Sequence, residues 1–337
     1  METLETKTVF SPLKKFETIF IQPNRKVPHI VKLKRHEGNP ILKPNGNKWE
    51  DRNVYNAGAT VYNDKVYLLY RAEGYDELRE GLKWECPITR LGLAVSENGF
   101  DISYRNPSPI FDKDANNPWR EHGCEDPRIS KIGDTYYIVF VSMSRFGYTG
   151  DRLAYATTKD FKTFENHGLL MKELEQRTSG FLSGKINGYY TLFHRPMPNM
   201  WISYSKDLKT WERMTCVLQT KDGSWYENKL GIGAPPIETE HGWLLFWHGK
   251  NNSARYCLGI MLLDKNDPSK IIKFQEEPIL EPQEEYEMKG YVGNTIYTNG
   301  AVLFKDKYFV YYGCSDKYLS VATIDADEID WWCKQRT

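Results

Sequence analysis

The stretch "EHGCEDPRIS" at residues 121–130 sets two adjacent carboxylates, Glu125 and Asp126, ahead of Pro127 and Arg128. Asp before Pro is a common turn dipeptide, so Asp126 reads either as a turn residue or as an acid in a site. Other polar residues interrupt apolar runs elsewhere: Asn56, Arg71, Arg177, His194 with Arg195, Lys229, His248 and Asp316. Taken singly, each arginine reads as a solvated rim charge, and each histidine as a hydrogen-bonded structural residue. Taken as a set, they put one or two carboxylates near at least four cations. Inverting hydrolysis of a glycoside needs two carboxylates about 6.5–9.5 Å apart, one as acid and one as base. A cationic pocket instead holds an anion, and arginine forks match phosphate oxygens. Phosphate is already nucleophilic and needs no protein base. A single acid then suffices to protonate the leaving oxygen, which is the pattern of an inverting glycoside phosphorylase.

Residues so far apart must be brought together by the fold. One phrase recurs, a short turn with Gly, Asn or Asp followed by a β-branched and aromatic run. It appears as "YNDKVYLLYRA" (62–72), "KIGDTYYIVFVS" (131–142), "KINGYYTLFHRP" (185–196), "ETEHGWLLFWHG" (238–249) and "LFKDKYFVYYGC" (303–314). Each reads as the turn and second strand of a β-hairpin, with further strands before and after it. Copies about 50 to 70 residues apart predict an all-β, five-bladed β-propeller, its sheets repeated around a central channel. A large β-sandwich with similar hairpins is the competing fold. The polar residues fall on the innermost strands and at the ends of the second strands, so they would converge on one pole of the channel. Residues 1–50 do not fit the repeat and are expected to form an N-terminal extension that covers the propeller, supplies an outer strand or mediates self-association. Residues 51–330 form the propeller and 331–337 a C-terminal tail. "EIDWWCKQRT" predicts a short C-terminal helix packing its Trp pair on the body. The charged stretch 73–89 is an insertion in the first blade, expected to loop over one face.

Bulk properties narrow the class. Lys plus Arg equals Asp plus Glu at 45 each, so no net charge points to nucleic acid or a membrane surface. The aromatic share of 14% suits strands and sites that stack on flat sugar faces. The six cysteines are scattered without a CxxC pair, which argues against a zinc site or a dense disulfide framework. No His/Asp/Glu group has ligand spacing, so neither a metal nor another cofactor is expected. The N-terminal "METLETKTVF" lacks the regions of a signal peptide, and no run approaches the ~18 apolar residues of a span. The expectation is a soluble, cytoplasmic protein.

The motifs "VYNAGA", "YLLYRA", "EDPRI", "SGKINGYYTLFHRP", "GIGAPPIETEHGWLLFWHG" and "YYGCSD" together resemble glycoside hydrolase family 130, the mannoside phosphorylases. The resemblance runs from "GNPILKP" to "DADEI". It implies a five-bladed propeller that phosphorolyses β-mannosides with inversion and reversibly, releasing α-mannose 1-phosphate. It implies Asp126 as the general acid, acting through the mannose 3-hydroxyl. Arg177, Arg195, Lys229 and His248 are implied as phosphate ligands, Asn56 and Arg71 as contacts to the mannosyl unit or phosphate, and Tyr256 and Asp316 as further substrate-binding positions. Glu125, beside the acid, is read from the residues themselves as a salt-bridge or hydrogen-bonding partner on the substrate side. Inorganic phosphate is a co-substrate rather than a cofactor, and manno-oligosaccharide is the partner. Homo-oligomers are common in the family, and the sequence carries no stoichiometry. The segment "RTSGFLSGKI" departs from the family in lacking a proline and an acidic residue before Lys185. The wording of the motifs is nearer the β-1,2 than the β-1,4 enzymes. The rival readings are an inverting β-mannoside hydrolase on the same scaffold and a non-catalytic sugar-binding propeller.

Overall fold

The structure, a computed structural model, describes residues 30–79, 86–146 and 150–335. Most of the extension read over 1–50, and the centre of the 73–89 insertion, therefore lie outside the described residues.

Turn chemistry sets the hairpins. Asn63–Asp64, Asn187–Gly188 and Lys305–Asp306 are two-residue connections with both residues at positive φ. This geometry matches the right-handed twist of the strands on either side. From these hairpins grow five antiparallel sheets, four of four strands and one of five. The innermost strands, in blade order, are Asn53–Tyr62, Cys124–Ile132, Ser179–Ile186, Lys229–Ile232 and Ile296–Phe304.

Apolar side chains fill the spaces between blades. Leu69 and Leu91 of blade one pack with Ile138 and Phe140 of blade two. Val139 meets Phe181 between blades two and three, and Phe193 meets Trp247 between three and four. Phe246 and Ile260 pack against Val310 and Ala322 between four and five. Val302 and Phe309 of blade five return to Val66 and Leu68 of blade one, closing the ring. Closure is also made by backbone. Lys34–Arg35 pairs with Thr323–Ala322 as the outer strand of blade five, so the chain's first described strand completes its last sheet.

Two details differ from the sequence reading. The insertion does not begin as a loop: Lys65–Leu78 and Pro87–Ser96 continue the first hairpin, with Leu78 opposite Pro87. The C-terminal helix spans Ala326–Lys334, and only one member of its Trp pair is buried. Trp332 is buried with Phe246 and Tyr308, whereas Trp331 is 44% exposed. Neighbours on a helix point about 100° apart, so one face cannot bury both. No helix of the described residues is long and apolar enough to cross a membrane.

Candidate active site

Three inner strands break their pairing where they reach the channel. Register shifts fall between Tyr55 and Gly58, between Glu125 and Arg128, and between Thr298 and Gly300. Such bulges re-aim side chains next to sites. Asn56 and Asp126 sit on two of them in the left-handed region, at φ 49° and 54°. Asp126 is therefore a strand residue turned out of its ladder, and not part of a connecting turn. Gly58 permits this, because a Cβ there would lie 2.7 Å from the Pro127 carbonyl oxygen.

The bulges open onto a cavity of about 290 Å³ at one pole of the channel. Asn56, Arg71, Glu125, Asp126, Arg177, Arg195, Lys229, Tyr256 and Asp316 all line it. Nine of the ten residues singled out in the sequence for this site thus meet in one place. The tenth, His248, does not line the cavity. It is fully buried, with its ring 4.0 Å from that of Tyr297. Burial, together with Arg195, Arg128 and Lys229, holds its pKa well below the usual histidine value. His248 is therefore neutral and lies just behind the lining, and both its ring nitrogens, like two of the Arg195 donors, are buried without a hydrogen-bond partner. His194 is structural: its ring nitrogens lie 2.9 Å from Gln176 Oε1 and 2.9 Å from Ser203 Oγ.

The charges are arranged in two halves. On one side Arg71 donates to Glu73 Oε1 at 2.6 Å and pairs with Glu125 Oε2 at 2.9 Å and Asp126 Oδ1 at 3.5 Å. Asn56 Nδ2 donates to the same Asp126 oxygen at 2.9 Å. Arg177 bridges Glu125 and Asp151. Burial opposes a charge on Glu125, but Arg177, Arg71 and Arg79 outweigh it and keep the carboxylate ionised. Asp316 opens partly to the cavity, yet burial pushes its pKa up to about 7, with Asp126, Glu73 and Glu125 adding to the rise against Arg71.

The other half is basic. Arg195 is 6% exposed, and its Nε and Nη1 are buried without a hydrogen-bond partner. Gly231 makes room for it, since a Cβ there would meet Arg195 Cδ and His248 Nε2 at 3.1 Å. Burial lowers the Lys229 pKa to about 8, helped by Arg195, Lys250 and Arg177. Buried guanidinium donors without acceptors are costly unless something supplies them. A small anion with several acceptor oxygens fits that requirement.

A family model described as β-1,4-mannooligosaccharide phosphorylase matches residues 23–335. The chain belongs to glycoside hydrolase family 130. Among relatives of this family 130 chain, a β-1,2-mannobiose phosphorylase of Thermoanaerobacter sp. (strain X514) is 36% identical over 307 residues, covering 89% of this chain and 99% of the relative. A 1,2-β-oligomannan phosphorylase of the same strain is 36% identical over 301 residues, with the same coverage. In three dimensions, the β-1,2-mannobiose phosphorylase of Listeria innocua in complex with β-1,2-mannobiose superposes with a TM-score of 0.79 at 27% identity, covering 90% of this chain and 99% of that one.

Sequence reasoning undercounted the carboxylates of this family 130 site. Glu73 is 1% exposed and also accepts from Tyr55 Oη at 2.7 Å and Asn53 Nδ2 at 2.8 Å. It lies two residues after Arg71 on one strand, and that alternation is a signal that could have found it. Asp151 stands just ahead of the strand that follows the recurring phrase of blade two and carried no such signal. Tyr55, Tyr291, Val292, Thr295 and Tyr297 complete the lining. Arg128, the arginine of "EDPR", is 1% exposed and is not part of the lining. It donates to the carbonyls of Gly233 at 2.6 Å, Ile232 at 3.1 Å and Asp126 at 3.2 Å, and to Tyr297 Oη and Asn299 Oδ1 at 3.3 Å. One guanidinium thus clasps three blades beneath the cavity. A lysine cannot reproduce this fork, so Arg128→Lys is expected to cost about 2–4 kcal/mol of unfolding free energy, read from urea titration.

The fold brings Glu240, His241 and Asp330 together, the one such cluster of possible metal ligands among the described residues. It lies outside the cavity. His241 Nε2 pairs with Asp330 at 2.7 Å and Lys334 with the same carboxylate at 2.6 Å, tying the C-terminal helix to blade four.

Proposed function

We propose that this family 130 enzyme phosphorolyses β-1,2-linked mannobiose and manno-oligosaccharides with inversion. The observation that carries the reading is the pair of unsatisfied Arg195 donors beside Lys229, in the cavity that also holds Asp126. The non-reducing mannose sits deep, among Asn56, Arg71, Asp126 and Asp316, and the next sugar lies nearer the mouth. Arg195 and Lys229, with Arg177, hold phosphate. A phosphate oxygen attacks C1 from the face opposite the leaving group, and the bond from C1 to the glycosidic oxygen breaks. That oxygen receives a proton from Asp126, relayed through the mannose 3-hydroxyl, whose own proton it takes. The products are α-mannose 1-phosphate and a saccharide shorter by one unit. The cations contribute by fixing the nucleophile in line and by offsetting its charge in a partly dry site. The linkage is supported by the names of the two Thermoanaerobacter relatives, both β-1,2.

Running the reaction backwards tests this most informatively. α-Mannose 1-phosphate with a panel of acceptors is expected to release orthophosphate and yield β-1,2 products with mannose as acceptor. No orthophosphate release with any acceptor overturns the reading, and exclusive β-1,4 products overturn the linkage.

One observation favours a second reading. The Asp316 carboxyl, raised to about 7, has the affinity of a general base, as inverting hydrolysis would need. Hydrolysis gives Arg195 and Lys229 no task, so phosphorolysis uses more of the site.

Lys229 provides a pH test. Its pKa of about 8 means that the free enzyme carries it mostly neutral at pH 9. Phosphate beside it favours the charged form and raises that pKa, so binding at pH 9 is expected to take up a proton. Calorimetry in two buffers of different ionisation enthalpy measures this directly. Equal uptake in Lys229→Met would contradict the assignment.

A further inference from the structure

The cavity does not end at its lining. Tyr291, 48% exposed, stands at its edge, and the Arg52 guanidinium carbon lies 5.5 Å from the centre of its ring. The same guanidinium lies 5.3 Å from the ring of Tyr75, which is 66% exposed and outside the cavity. Two open aromatic rings bridged by one arginine thus extend the site outward along one rim.

This rim is anchored. The first hairpin loses register between Glu73 and Leu78, so residues 74–77 bulge and lift Tyr75 out of the sheet. The Tyr75 amide donates to Asp51 Oδ1 at 3.0 Å, and Asp76 and Glu77 are both paired to the buried Arg90. Gly74 lets the bulge seat, since a Cβ there would lie 2.0 Å from the Lys48 carbonyl oxygen. On the other side, the Val292 amide donates to the Ser315 carbonyl at 3.0 Å, beside Asp316. Exposed rings held by both backbone and charge are costly ornaments for a surface that binds nothing, and flat faces of this kind suit the apolar face of a pyranose.

We propose that Tyr75, backed by Arg52, forms a distal sugar subsite that stacks the third mannosyl unit of a β-mannan chain, beyond the two units that the cavity and Tyr291 engage. The subsite rests on the phosphorolysis reading only for the direction of the chain, with the non-reducing end inward. It makes the enzyme favour oligosaccharides over the disaccharide and places it after a depolymerising step that supplies short mannans.

The test compares β-1,2-mannotriose with β-1,2-mannobiose in wild type, Tyr75→Ala and Tyr75→Phe. Equilibrium binding without phosphate is measured beside kcat/KM with phosphate, so that loss of the subsite and failure of the phosphorolysis reading are told apart. Tyr75→Ala is expected to lower trisaccharide affinity and kcat/KM about three- to tenfold while leaving the disaccharide within twofold. Tyr75→Phe keeps the ring and should match wild type. An unchanged trisaccharide-to-disaccharide ratio in Tyr75→Ala overturns the subsite, as does Tyr75→Phe falling as far as Tyr75→Ala. A wild type that binds the trisaccharide more tightly but shows no phosphate-dependent turnover keeps the subsite and sinks the reaction.

Discussion

Replacing Asp126 with Asn is expected to lower kcat/KM for β-1,2-mannobiose by about two to four orders of magnitude, the usual span for a lost general acid. The substitution is chosen so that little else changes. Asp126 sits at φ 54° on its bulge, and Asn is among the few residues that tolerate that backbone. The amide oxygen of the introduced side chain can still accept from Asn56, which donates to Asp126 Oδ1 at 2.9 Å. What disappears is the ability to give up a proton and so become a carboxylate beside Arg71. A leaving group that departs as a stable anion needs no proton. The loss with 4-nitrophenyl β-mannoside should therefore be far smaller than the loss with mannobiose. Equal losses on both substrates would assign Asp126 a role in binding or folding, and full turnover with mannobiose would remove it from the chemistry.

The second large effect falls on phosphate. Arg195→Ala deletes buried donors that have no partner within the protein, so truncation leaves no orphaned acceptor behind. The folded state should tolerate it, while the anion loses a charge-assisted contact worth about 2–3 kcal/mol. KM for phosphate should rise roughly 30- to 150-fold, at 1.4 kcal/mol per decade. KM for mannobiose should move by less than about threefold, because the sugar is held by the opposite half of the cavity. Arg195→Lys restores a charge without the planar fork and is expected to fall between the two. A parallel loss on both substrates would mean that Arg195 shapes the cavity as a whole.

The five blades were legible because their turns were: paired Asn, Asp and Gly at two-residue connections dictate hairpins wherever an aromatic strand follows. Asp126 could be singled out because five repeats gave its position a place in the channel. The outer strand Lys34–Arg35 could not be read in the same way. Two residues carry no period, and their pairing is supplied by Thr323 and Ala322 at the far end of the chain. The insertion looked like a loop because its charges hide an alternation that continues the first hairpin and then bulges. His248 was implied as a ligand by the family resemblance alone, since its residue type by itself reads as structural. The structure buries its ring against Tyr297, and burial with Arg195, Arg128 and Lys229 nearby keeps it neutral. The charge balance was the largest gap. Glu73 and Asp151 already neutralise Arg71 and Arg177 in part, so the anion-binding character concentrates on Arg195 and Lys229 rather than spreading over every cation.

The most direct measurement is the phosphate dependence of β-1,2-mannobiose cleavage by the wild-type enzyme, with products followed by nuclear magnetic resonance. The arrangement of Arg195 and Lys229 in one cavity with Asp126 predicts no appreciable cleavage without phosphate, saturation as phosphate is added, and α-mannose 1-phosphate as the first product. Release of free mannose at the same rate with and without phosphate would contradict it.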